Sequence, residues 1–352
     1  MKYYVNEYIG RTERVFPQQG RLEFLRYDMN ENPEGLPKEF VDSVLAEITP
    51  EFLAVYPEPD RFTAKYADFI GVRPENIVTT NGSDMAIRYI LETFGEPGKD
   101  VVTVTPSFEM YRINCSLLGL NHVPVPYEDD LTISIDKILE AVTEDTRIVV
   151  LLNPNNPVGN VYTEEELEKI IRKAEEVGAI VLIDEAYYYF YPNTFLKYAV
   201  SCENVIVLRT FSKLFSIAAL RLGIVISNPE IIHFVKNGRL SFDVNSVALL
   251  FAERIIERPE MVEALIRAEN EGKAYILSEL EKRGYEARDC RGNFIFVRPK
   301  NPAREVVRRL EEEEKVLVHG YGNPLLSDLI RVSVGSKAAM ERFLQAFLRT
   351  DR

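Results

Sequence analysis

The sequence contains few of the residues that build metal centres, disulfide frameworks or charge-relay triads. Three cysteines and three histidines occur among its 352 residues: Cys115, Cys202, Cys290, His122, His233 and His319. The cysteines are widely separated, odd in number and without a C-x-x-C spacing, which suits a reducing cytoplasm better than a disulfide scaffold or a metal site. The histidines are equally scattered, so the sequence gives no support for a metal cluster or a Ser-His-Asp centre.

Long apolar runs and an excess of positive charge are also missing. No run of about 18 apolar residues occurs, so the sequence predicts no membrane-spanning helix. The N-terminal stretch MKYYVNEYIGRTERVF has neither the apolar core nor the cleavage site of a secretory signal, which favours a cytoplasmic location. Lys and Arg number 42 against 55 Asp and Glu, a net charge of −13. This balance argues against non-specific nucleic-acid binding and against a basic membrane patch.

The sequence does contain a regular alternation of apolar strand-like segments and helical segments. The predicted strands of this part lie at 76–80, 101–105, 147–152, 179–184, 204–209 and 222–227. The predicted helices lie at 36–48, 62–71, 85–94 and 163–178, the last with a capping box from Thr163 to Glu166. Nearly continuous apolar strands separated by helices are typical of an α/β protein with a mostly parallel sheet covered on both faces.

The length of the chain exceeds what one hydrophobic core usually supports, so two domains are expected. Residues 1–35 read as an irregular arm because Asn-Pro and Gly interrupt them. After about residue 228 the pattern changes to charged helices, predicted at 229–238 and 246–283, and then to strands interleaved with helices. These strands are predicted within 292–299, 315–320 and 329–335. The second part therefore indicates a smaller α+β domain.

Lys213 stands between the end of a predicted strand, 204–209, and an apolar run. At such a position the amine can be desolvated, which lowers the pKa of the lysine and frees the amine as a nucleophile. A lysine in an ordinary surface loop is the alternative.

Polar residues follow several predicted strands, at the edge where parallel sheets bind ligands. Residues 81–84, Asn-Gly-Ser-Asp, lie between a strand and a helix. A glycine and the free N–H groups of a helix start can hold a phosphate there, although a simple N-cap is the alternative. Asp184 ends an apolar strand, so its carboxylate either pairs, for example with a cationic ring nitrogen, or caps the next segment. Tyr187 would face the same ligand if the chain turns after Asp184.

Further side chains at this edge fit the same ligand. Residues 153–159 contain three asparagines, which ordinary turn chemistry also explains. Arg221 with Thr210 and Ser212 could bind an anion, and Phe108 could stack on a flat ring or simply pack in the core. Together these residues supply what pyridoxal phosphate requires: a Schiff-base lysine, an acid at the pyridine nitrogen, donors to the ring oxygen, a phosphate cup and a stacking ring.

A series of short motifs, in order and spacing, resembles the class I/II aminotransferases, which are fold-type I pyridoxal-phosphate enzymes; the histidinol-phosphate aminotransferase group is the most similar. The motifs are NENP (30–33), YPEP (56–59), NGSD (81–84), PSFEMY (106–111), NPNNPVG (153–159), IDEAYY (183–188), TFSK (210–213), RLG (221–223), GNF (292–294) and IRVSVG (330–335). The resemblance covers nearly the whole chain. It implies that residues 1–45 form an N-terminal arm and part of the small domain, 46–235 the large cofactor-binding domain, and 236–352 a linking helix and the small C-terminal domain.

The resemblance also implies a role for each residue around the cofactor. Lys213 would carry the cofactor as a Schiff base and move the α-proton, while Asp184 would keep the ring nitrogen protonated. Tyr187 and Asn156 would hydrogen-bond the ring oxygen, and Phe108 would stack on the ring. The residues implied around the phosphate are Gly82, Ser83, Asp84, Thr210, Ser212 and Arg221, with Tyr56 reaching it from the neighbouring subunit of a homodimer with shared active sites.

On the substrate side, the resemblance implies that Arg331 binds a carboxylate or another anionic group, with Asn30 and His319 as further substrate contacts. His319 replaces an arginine that the histidinol-phosphate group is expected to use for the substrate phosphate. Histidine is a weaker and pH-dependent phosphate ligand, whereas arginine binds phosphate through two parallel hydrogen bonds. The other departures from the group are Met85, Glu109, Val158 and Asp243. These changes leave the cofactor residues intact and concern the substrate.

The implied function is a dimeric, cytoplasmic aminotransferase that works by two half-reactions between an amino donor and a 2-oxo acid. Histidinol phosphate is the first candidate donor, and an aromatic or cationic amino acid is the second. One alternative is a pyridoxal-phosphate lyase, cyclase or decarboxylase that uses the same Lys213. Another is a non-enzymatic binding or regulatory domain on this fold, against which the intact Lys213, Asp184, Tyr187 and Arg221 argue. The expected partners are small-molecule substrates, with neither nucleic acid nor membrane.

Overall fold

The computed structural model describes residues 3–12, 16 and 19–352. Its strands, in chain order, are β1 Leu25–Tyr27, β2 Ile77–Asn81, β3 Asp100–Thr105, β4 Asn121–Pro126, β5 Thr146–Leu152, β6 Ile180–Asp184, β7 Val205–Thr210, β8 Leu222–Ile226, β9 Glu286–Gly292, β10 Phe294–Arg298, β11 Val316–Gly320 and β12 Ile330–Ser333. Its α-helices are α1 Glu7–Arg11, α2 Lys38–Leu45, α3 Pro50–Ala54, α4 Asp60–Ile70, α5 Gly82–Phe94, α6 Met110–Leu118, α7 Ile135–Ala141, α8 Glu164–Glu176, α9 Leu196–Ser201, α10 Pro229–Gly238, α11 Ser246–Ile256, α12 Pro259–Lys282, α13 Ala303–Glu314 and α14 Lys337–Thr350. Within these described ranges, no helix has the length and apolar character needed to cross a membrane.

The larger sheet has the strand order β2-β8-β7-β6-β5-β3-β4. Its neighbouring strands run parallel, except that β8 is antiparallel to both β2 and β7. The prediction of a mostly parallel sheet is therefore confirmed. Successive side chains on a strand point to opposite faces, so Val149 and Leu151 of β5 enter one apolar cluster while Ile148 and Val150 enter the other. Helices cover both faces, as the unbroken apolar strands require.

The smaller sheet has the order β1-β11-β12-β10-β9. Its strands pair antiparallel, apart from β1, which lies parallel to β11. Its apolar face packs against α12, α13 and α14 around Ile295, Val332 and Phe343. The prediction that the second part of the chain has an α+β fold is confirmed. Strand β1 of the predicted arm, residues 1–45, belongs to this sheet, and a few other residues of the arm lie outside the described ranges. The division of the chain into the parts 1–45, 46–235 and 236–352 stays a prediction.

Two predicted segments are wrong in detail. The single helix predicted over 246–283 is two helices, α11 and α12, because Pro259 begins a new helix and keeps Arg258 out of the helical conformation, at φ −124° and ψ 72°. The arm read as irregular over 1–35 contains α1 and β1. The capping box predicted for α8 is present: the Glu166 amide donates to the Thr163 hydroxyl at 3.2 Å, and the Thr163 amide donates to the Glu166 carboxylate at 2.8 Å.

Candidate active site

The predicted site residues meet at the carboxyl edge of the larger sheet. Asp184 is the last residue of β6 and lies between Leu152 of β5 and Leu208 of β7 in the strand register. Thr210 ends β7, and Lys213 follows it by three residues. Because parallel strands place their carboxyl ends side by side, loops that are far apart in sequence come together here.

Lys213 reaches from the loop after β7 to the segment that follows β1. Its ammonium group donates a hydrogen bond to the carbonyl oxygen of Met29 at 2.9 Å and lies 5.8 Å from the centre of the Tyr187 ring. Desolvation, and then the positive charge of Arg331, lower the pKa of Lys213 to about 8. The side chain is partly exposed, yet the protein around it makes the neutral amine more accessible than in an ordinary lysine. A neutral amine is the form that attacks a carbonyl.

Asp184 is a buried carboxylate with two hydrogen-bond donors. Its Oδ2 accepts from the Tyr111 hydroxyl at 2.8 Å, and its Oδ1 accepts from the Ala186 amide at 3.0 Å. Burial raises the pKa of Asp184 to about 6, against the effect of both hydrogen bonds. No salt bridge to this carboxylate occurs among the described residues, so a cationic ring nitrogen placed against it would complete its charge balance. The contribution of Tyr111 was not predicted; its signal was its place at the end of the PSFEMY motif.

Small polar groups gather where α5 begins. Gly82, Ser83 and Asp84 form the first turn of this helix, whose N–H groups and dipole favour an anion. The Thr210 hydroxyl donates to the Ser212 hydroxyl at 3.0 Å, and the Ser212 amide donates to Thr210 at 3.1 Å. In the strand register Thr80 of β2 and Thr210 of β7 both lie beside Gly223 of β8, so the two segments flank the same strand. Their role as phosphate ligands stays a prediction.

Arg221 crosses directly over Gly82. The guanidinium NH2 donates to Asp84 Oδ2 at 2.9 Å, and NH1 donates to the Ala218 carbonyl at 3.0 Å. A Cβ on Gly82 would lie 2.4 Å from the same NH2, and Gly82 has φ +75°. Only glycine fits this position, because it allows both the positive φ and the close approach of the arginine. The close approach brings a cation to the start of α5, which is the arrangement that a phosphate monoester requires.

Asn156 and Arg331 connect the two sheets. Arg331 on β12 donates through NH1 to Asn156 Oδ1 at 2.6 Å and through NH2 to the Asp28 carbonyl. Its buried Nε has no hydrogen-bond partner among the described residues. Since Asn156 Oδ1 is taken by the arginine, the amide leaves Nδ2 as its donor. Asn153 and Asn155 differ from Asn156, because their amides bond only within the surrounding loops.

Tyr187 and Asn30 form a buried pair. The Asn30 Nδ2 group donates to the Tyr187 hydroxyl at 2.9 Å, and the Tyr187 ring packs edge-on against Phe294 at 5.2 Å. Burial raises the pKa of Tyr187 to about 12, so the phenol is protonated at neutral pH. The predicted substrate contact of Asn30 stays a prediction; in this structure its amide contacts Tyr187 and Ser333.

His319 lies opposite Arg331 in the β11–β12 pairing. Its ring contacts Tyr321 edge-on, with 4.7 Å between ring centres. Desolvation of the ring, and then the nearby Arg331 charge, lower the pKa of His319 below its ordinary value, although the residue as a whole is exposed. The imidazole is therefore neutral at pH 7. The buried Tyr321 hydroxyl, like Arg331 Nε, has no hydrogen-bond partner within the part of the chain that the structure describes.

The remaining predicted residues lie in different surroundings. Phe108 is partly buried and meets Tyr111 edge-on at 6.4 Å. Tyr56 is 71% exposed and stacks on the exposed Phe242 at 4.4 Å. The Asp243 carboxylate is buried and lies 3.6 Å from the Arg239 guanidinium; its effect on the substrate stays a prediction.

These surroundings fit pyridoxal phosphate. The fit rests on three features of the chain itself: a lysine amine with a lowered pKa, a buried carboxylate without a cation, and a helix start that a side chain on Gly82 would block. Each feature matches a different part of the cofactor, namely the aldehyde, the ring nitrogen and the phosphate.

Comparisons with known proteins agree with this geometry. The family described as aminotransferase class I and II matches residues 28–347. The histidinol-phosphate aminotransferase of Clostridium novyi is 32% identical over 328 residues, covering 92% of this chain and 91% of the relative. That of Caldanaerobacter subterraneus is 33% identical over 326 residues, covering 91% of each. The fold is shared with the histidinol-phosphate aminotransferase of Sinorhizobium meliloti in complex with pyridoxal-5'-phosphate, with a TM-score of 0.88 and 22% identity over 99% of this chain and 97% of that one. The chain therefore belongs to the aminotransferase class I and II family and is a pyridoxal-phosphate-dependent aminotransferase.

Proposed function

We propose that this aminotransferase moves an amino group from histidinol phosphate to a 2-oxo acid in two half-reactions. The observation that carries the proposal is the buried Arg331 guanidinium, whose Nε makes no hydrogen bond among the described residues and whose positive charge acts on Lys213. An anionic substrate group would satisfy this donor, since a buried unpaired donor is unfavourable. The names of the curated relatives support histidinol phosphate as the donor.

In this proposal each residue that faces the cofactor has a defined role. When bound, pyridoxal phosphate supplies an electron-withdrawing ring that makes the α-proton of the amino donor acidic. Lys213 would hold the cofactor covalently until the amino group of the donor displaces it, and the freed amine would then take and return that proton, for which a pKa near 8 is suited. Asp184 holds a proton on the ring nitrogen, and Tyr187 with Asn156 hydrogen-bonds the ring oxygen. Phe108 stacks on the ring. The proposed phosphate ligands are Gly82, Ser83, Asp84, Thr210, Ser212 and Arg221.

A second candidate donor is an aromatic or cationic amino acid. The observation that favours it is the neutral state of His319, whose pKa is lowered by desolvation and by Arg331. A phosphate dianion is held best by two cations, whereas an α-carboxylate needs one. With His319 neutral, Arg331 is the cation available to the substrate, and one arginine matches one carboxylate.

A donor titration separates the candidates. Single donors would be added to the purified holoenzyme without acceptor, and the loss of the visible band of the bound cofactor would be followed. We expect histidinol phosphate to convert the band fully and a 2-oxo acid to restore it. Full conversion by an aromatic or cationic amino acid instead would establish the second candidate. Release of ammonia or carbon dioxide with spontaneous recovery of the band would contradict transamination and favour a lyase or decarboxylase.

Replacing His319 with arginine tests the phosphate argument directly. We expect His319→Arg to raise kcat/KM for histidinol phosphate by roughly ten- to a hundredfold, because one charge-assisted hydrogen bond contributes about 1.5 to 3 kcal/mol. His233→Arg is the matched control, since it adds the same charge at an exposed position on α10. An unchanged kcat/KM in His319→Arg, with the protein folded, would show that this position does not contact the phosphate.

We further propose a homodimer in which Tyr56 of each subunit completes the phosphate site of the other. Support comes from the Tyr56–Phe242 patch, which we define as this exposed stacked pair with the neighbouring Val55 and Leu240, exposed by 59% and 68%. Exposed apolar groups of this kind mark interaction surfaces. Mixing inactive Lys213→Ala with inactive Tyr56→Ala subunits should restore activity, because a mixed dimer contains one intact site. If dimers containing one subunit of each variant form and the mixture stays inactive, the two subunits do not share their active sites.

The proposed setting is the cytoplasm. Cys115, Cys202 and Cys290 are all free, and Cys115 and Cys290 are buried, which fits a reducing compartment. Fractionation of the producing cells would test this, and recovery outside the cytoplasmic fraction would contradict it.

A further inference from the structure

Asn30 occupies an unusual position between the two sheets. It is 1% exposed and has φ 55°, a left-handed conformation that asparagine tolerates better than most residues. Its backbone amide donates to Ser333 Oγ at 2.7 Å, and its carbonyl accepts from Asn293 Nδ2 at 2.9 Å. Its side chain contacts Ser333 on one side and Tyr187 on the other. The preceding carbonyl, of Met29, accepts from Lys213.

The serine determines which way the Asn30 amide faces. Ser333 is fully buried, and its Oγ already accepts from the Asn30 backbone amide. Its hydroxyl proton therefore needs an acceptor, and Asn30 Oδ1 lies at 3.2 Å. In the reversed amide orientation Nδ2 would face Ser333, and this buried proton would have no acceptor among the described residues. The orientation that satisfies Ser333 places Nδ2 against the Tyr187 hydroxyl at 2.9 Å.

The amide orientation in turn determines what Tyr187 can do. A phenol has one proton to donate and lone pairs with which to accept. Because Asn30 Nδ2 donates to Tyr187, the phenol proton cannot be directed to Asn30 and remains available to the cleft beside Lys213. A free phenol could either accept or donate a hydrogen bond. With Asn30 donating to it, the Tyr187 hydroxyl acts as a hydrogen-bond donor towards a bound cofactor.

We propose that Asn30 is a positioning residue that directs the Tyr187 proton towards the cofactor, acting through a Ser333–Asn30–Tyr187 hydrogen-bond chain. This inference rests on the proposed contact between Tyr187 and the cofactor ring oxygen. A donor at that oxygen stabilises its anionic form. The chain therefore lowers the pH at which the cofactor bound to Lys213 loses its proton, and it strengthens cofactor binding without any contact between Asn30 and the cofactor.

The test compares variants by the pH midpoint of the visible spectrum of the bound cofactor and by pyridoxal-phosphate affinity of the apoprotein. Tyr187→Phe removes the hydroxyl and should raise the midpoint by about one pH unit, the worth of one hydrogen bond. Asn30→Asp, which accepts the phenol proton instead of donating, should raise it by a similar amount. Asn30→Gly keeps the positive φ while deleting the amide, and should give a smaller rise with weaker cofactor affinity.

The double variant Asn30→Asp/Tyr187→Phe decides whether Asn30 acts through the hydroxyl. We expect its midpoint to equal that of Tyr187→Phe alone. A further rise in the double variant would overturn the proposal, because it would mean that the new charge acts directly on the cofactor. Asn293→Ala is the structural control: it loosens the same turn but leaves the amide chain, so it should lower thermal stability without moving the midpoint. A midpoint shift in this control equal to that of Asn30→Gly would also overturn the proposal.

The remaining outcomes separate this inference from the function it rests on. If Tyr187→Phe shifts the midpoint and both Asn30 variants do not, the assignment of Asn30 fails while the role of Tyr187 stands. If Tyr187→Phe itself leaves the midpoint unchanged, the proposed contact with the ring oxygen fails, and the inference for Asn30 fails with it.

Discussion

Replacing Asp184 with asparagine should stabilise the cofactor-free protein while removing its activity. Burial raises the pKa of Asp184 from 3.8 to about 6, so the folded protein binds this proton more tightly than the unfolded chain does. Stability is therefore highest when the carboxyl is protonated. The free energy of unfolding falls as pH rises from about 4 to about 6, and it stays lower at higher pH because the folded state then contains a buried charge.

The pKa difference sets the size of this effect. At 1.36 kcal/mol per unit, the rise from 3.8 to about 6 corresponds to a penalty of up to about 3 kcal/mol at pH 8. About half of it is already present at pH 5, so the advantage of Asp184→Asn should grow by about 1.5 kcal/mol between pH 5 and pH 8. The asparagine can still accept from the Ala186 amide, but its Nδ2 would face the Tyr111 hydroxyl and leave that phenol proton unpaired. The net gain at pH 8 should therefore be about 1 to 2 kcal/mol.

Unfolding of the two apoproteins at pH 5 and pH 8 measures the effect, because groups shared by both proteins cancel in the difference. Asp145→Asn serves as a control: Lys99 holds the pKa of this exposed carboxyl below its usual value, so its removal should give no gain at either pH. Adding pyridoxal phosphate should stabilise the wild type more than Asp184→Asn at pH 8, because the ring nitrogen pairs with the carboxylate. A wild type more stable than Asp184→Asn at pH 8, or a difference that does not change with pH, would refute the reasoning.

The remaining predictions concern the phosphate cradle and a buried ion pair. Gly82→Ala should weaken pyridoxal-phosphate binding, measured by apoprotein titration, because the new methyl group would displace Arg221; Gly98→Ala is the control, since it imposes a similar positive φ with nothing within 4 Å. An equal loss of affinity in both variants would contradict the clash. Glu185→Ala should lower the free energy of unfolding in urea by about 3 to 5 kcal/mol, because it leaves Arg209, bonded to Glu185 at 2.9 and 3.1 Å, buried without its partner. A loss of less than about 1 kcal/mol would show that Arg209 finds another partner.

The fold was predictable where the local pattern is strong. The apolar β-branched strands β5, β6 and β7 could be recognised from residue type alone, and so could the capping box of α8. The direction of β8 could not, because Leu222–Ile226 is apolar throughout and reads the same in a parallel or antiparallel strand. The edge strand β4 was missed since Pro124 and Pro126 argue against a strand, although prolines are accepted at a sheet edge.

The sequence predicts those site residues that lie in the loop directly after a strand. Lys213, Asp184 and the Gly82 turn stand at strand ends, and a strand end in a parallel sheet has a known place. The partners that orient them could not be found in this way. Tyr111 reaches Asp184 from α6, and Ser333 reaches Asn30 from β12, across 303 positions of sequence. Such pairs depend on how whole helices and strands pack against one another, and a short stretch of sequence does not show that packing.

The positions at which this chain departs from its relatives can be understood from the same hydrogen bonds. In the proposed function Arg331 has a second role besides binding the substrate, because its bond to Asn156 Oδ1 at 2.6 Å orients the amide whose Nδ2 would face the cofactor ring. A change at Arg331 would therefore disturb substrate and cofactor together. His319 is its cross-strand neighbour, yet its ring contact is with Tyr321 and it takes no part in that hydrogen-bond chain. In the proposed function, substrate preference can therefore change at His319 while Arg331, Asn156 and the proposed cofactor residues remain as they are.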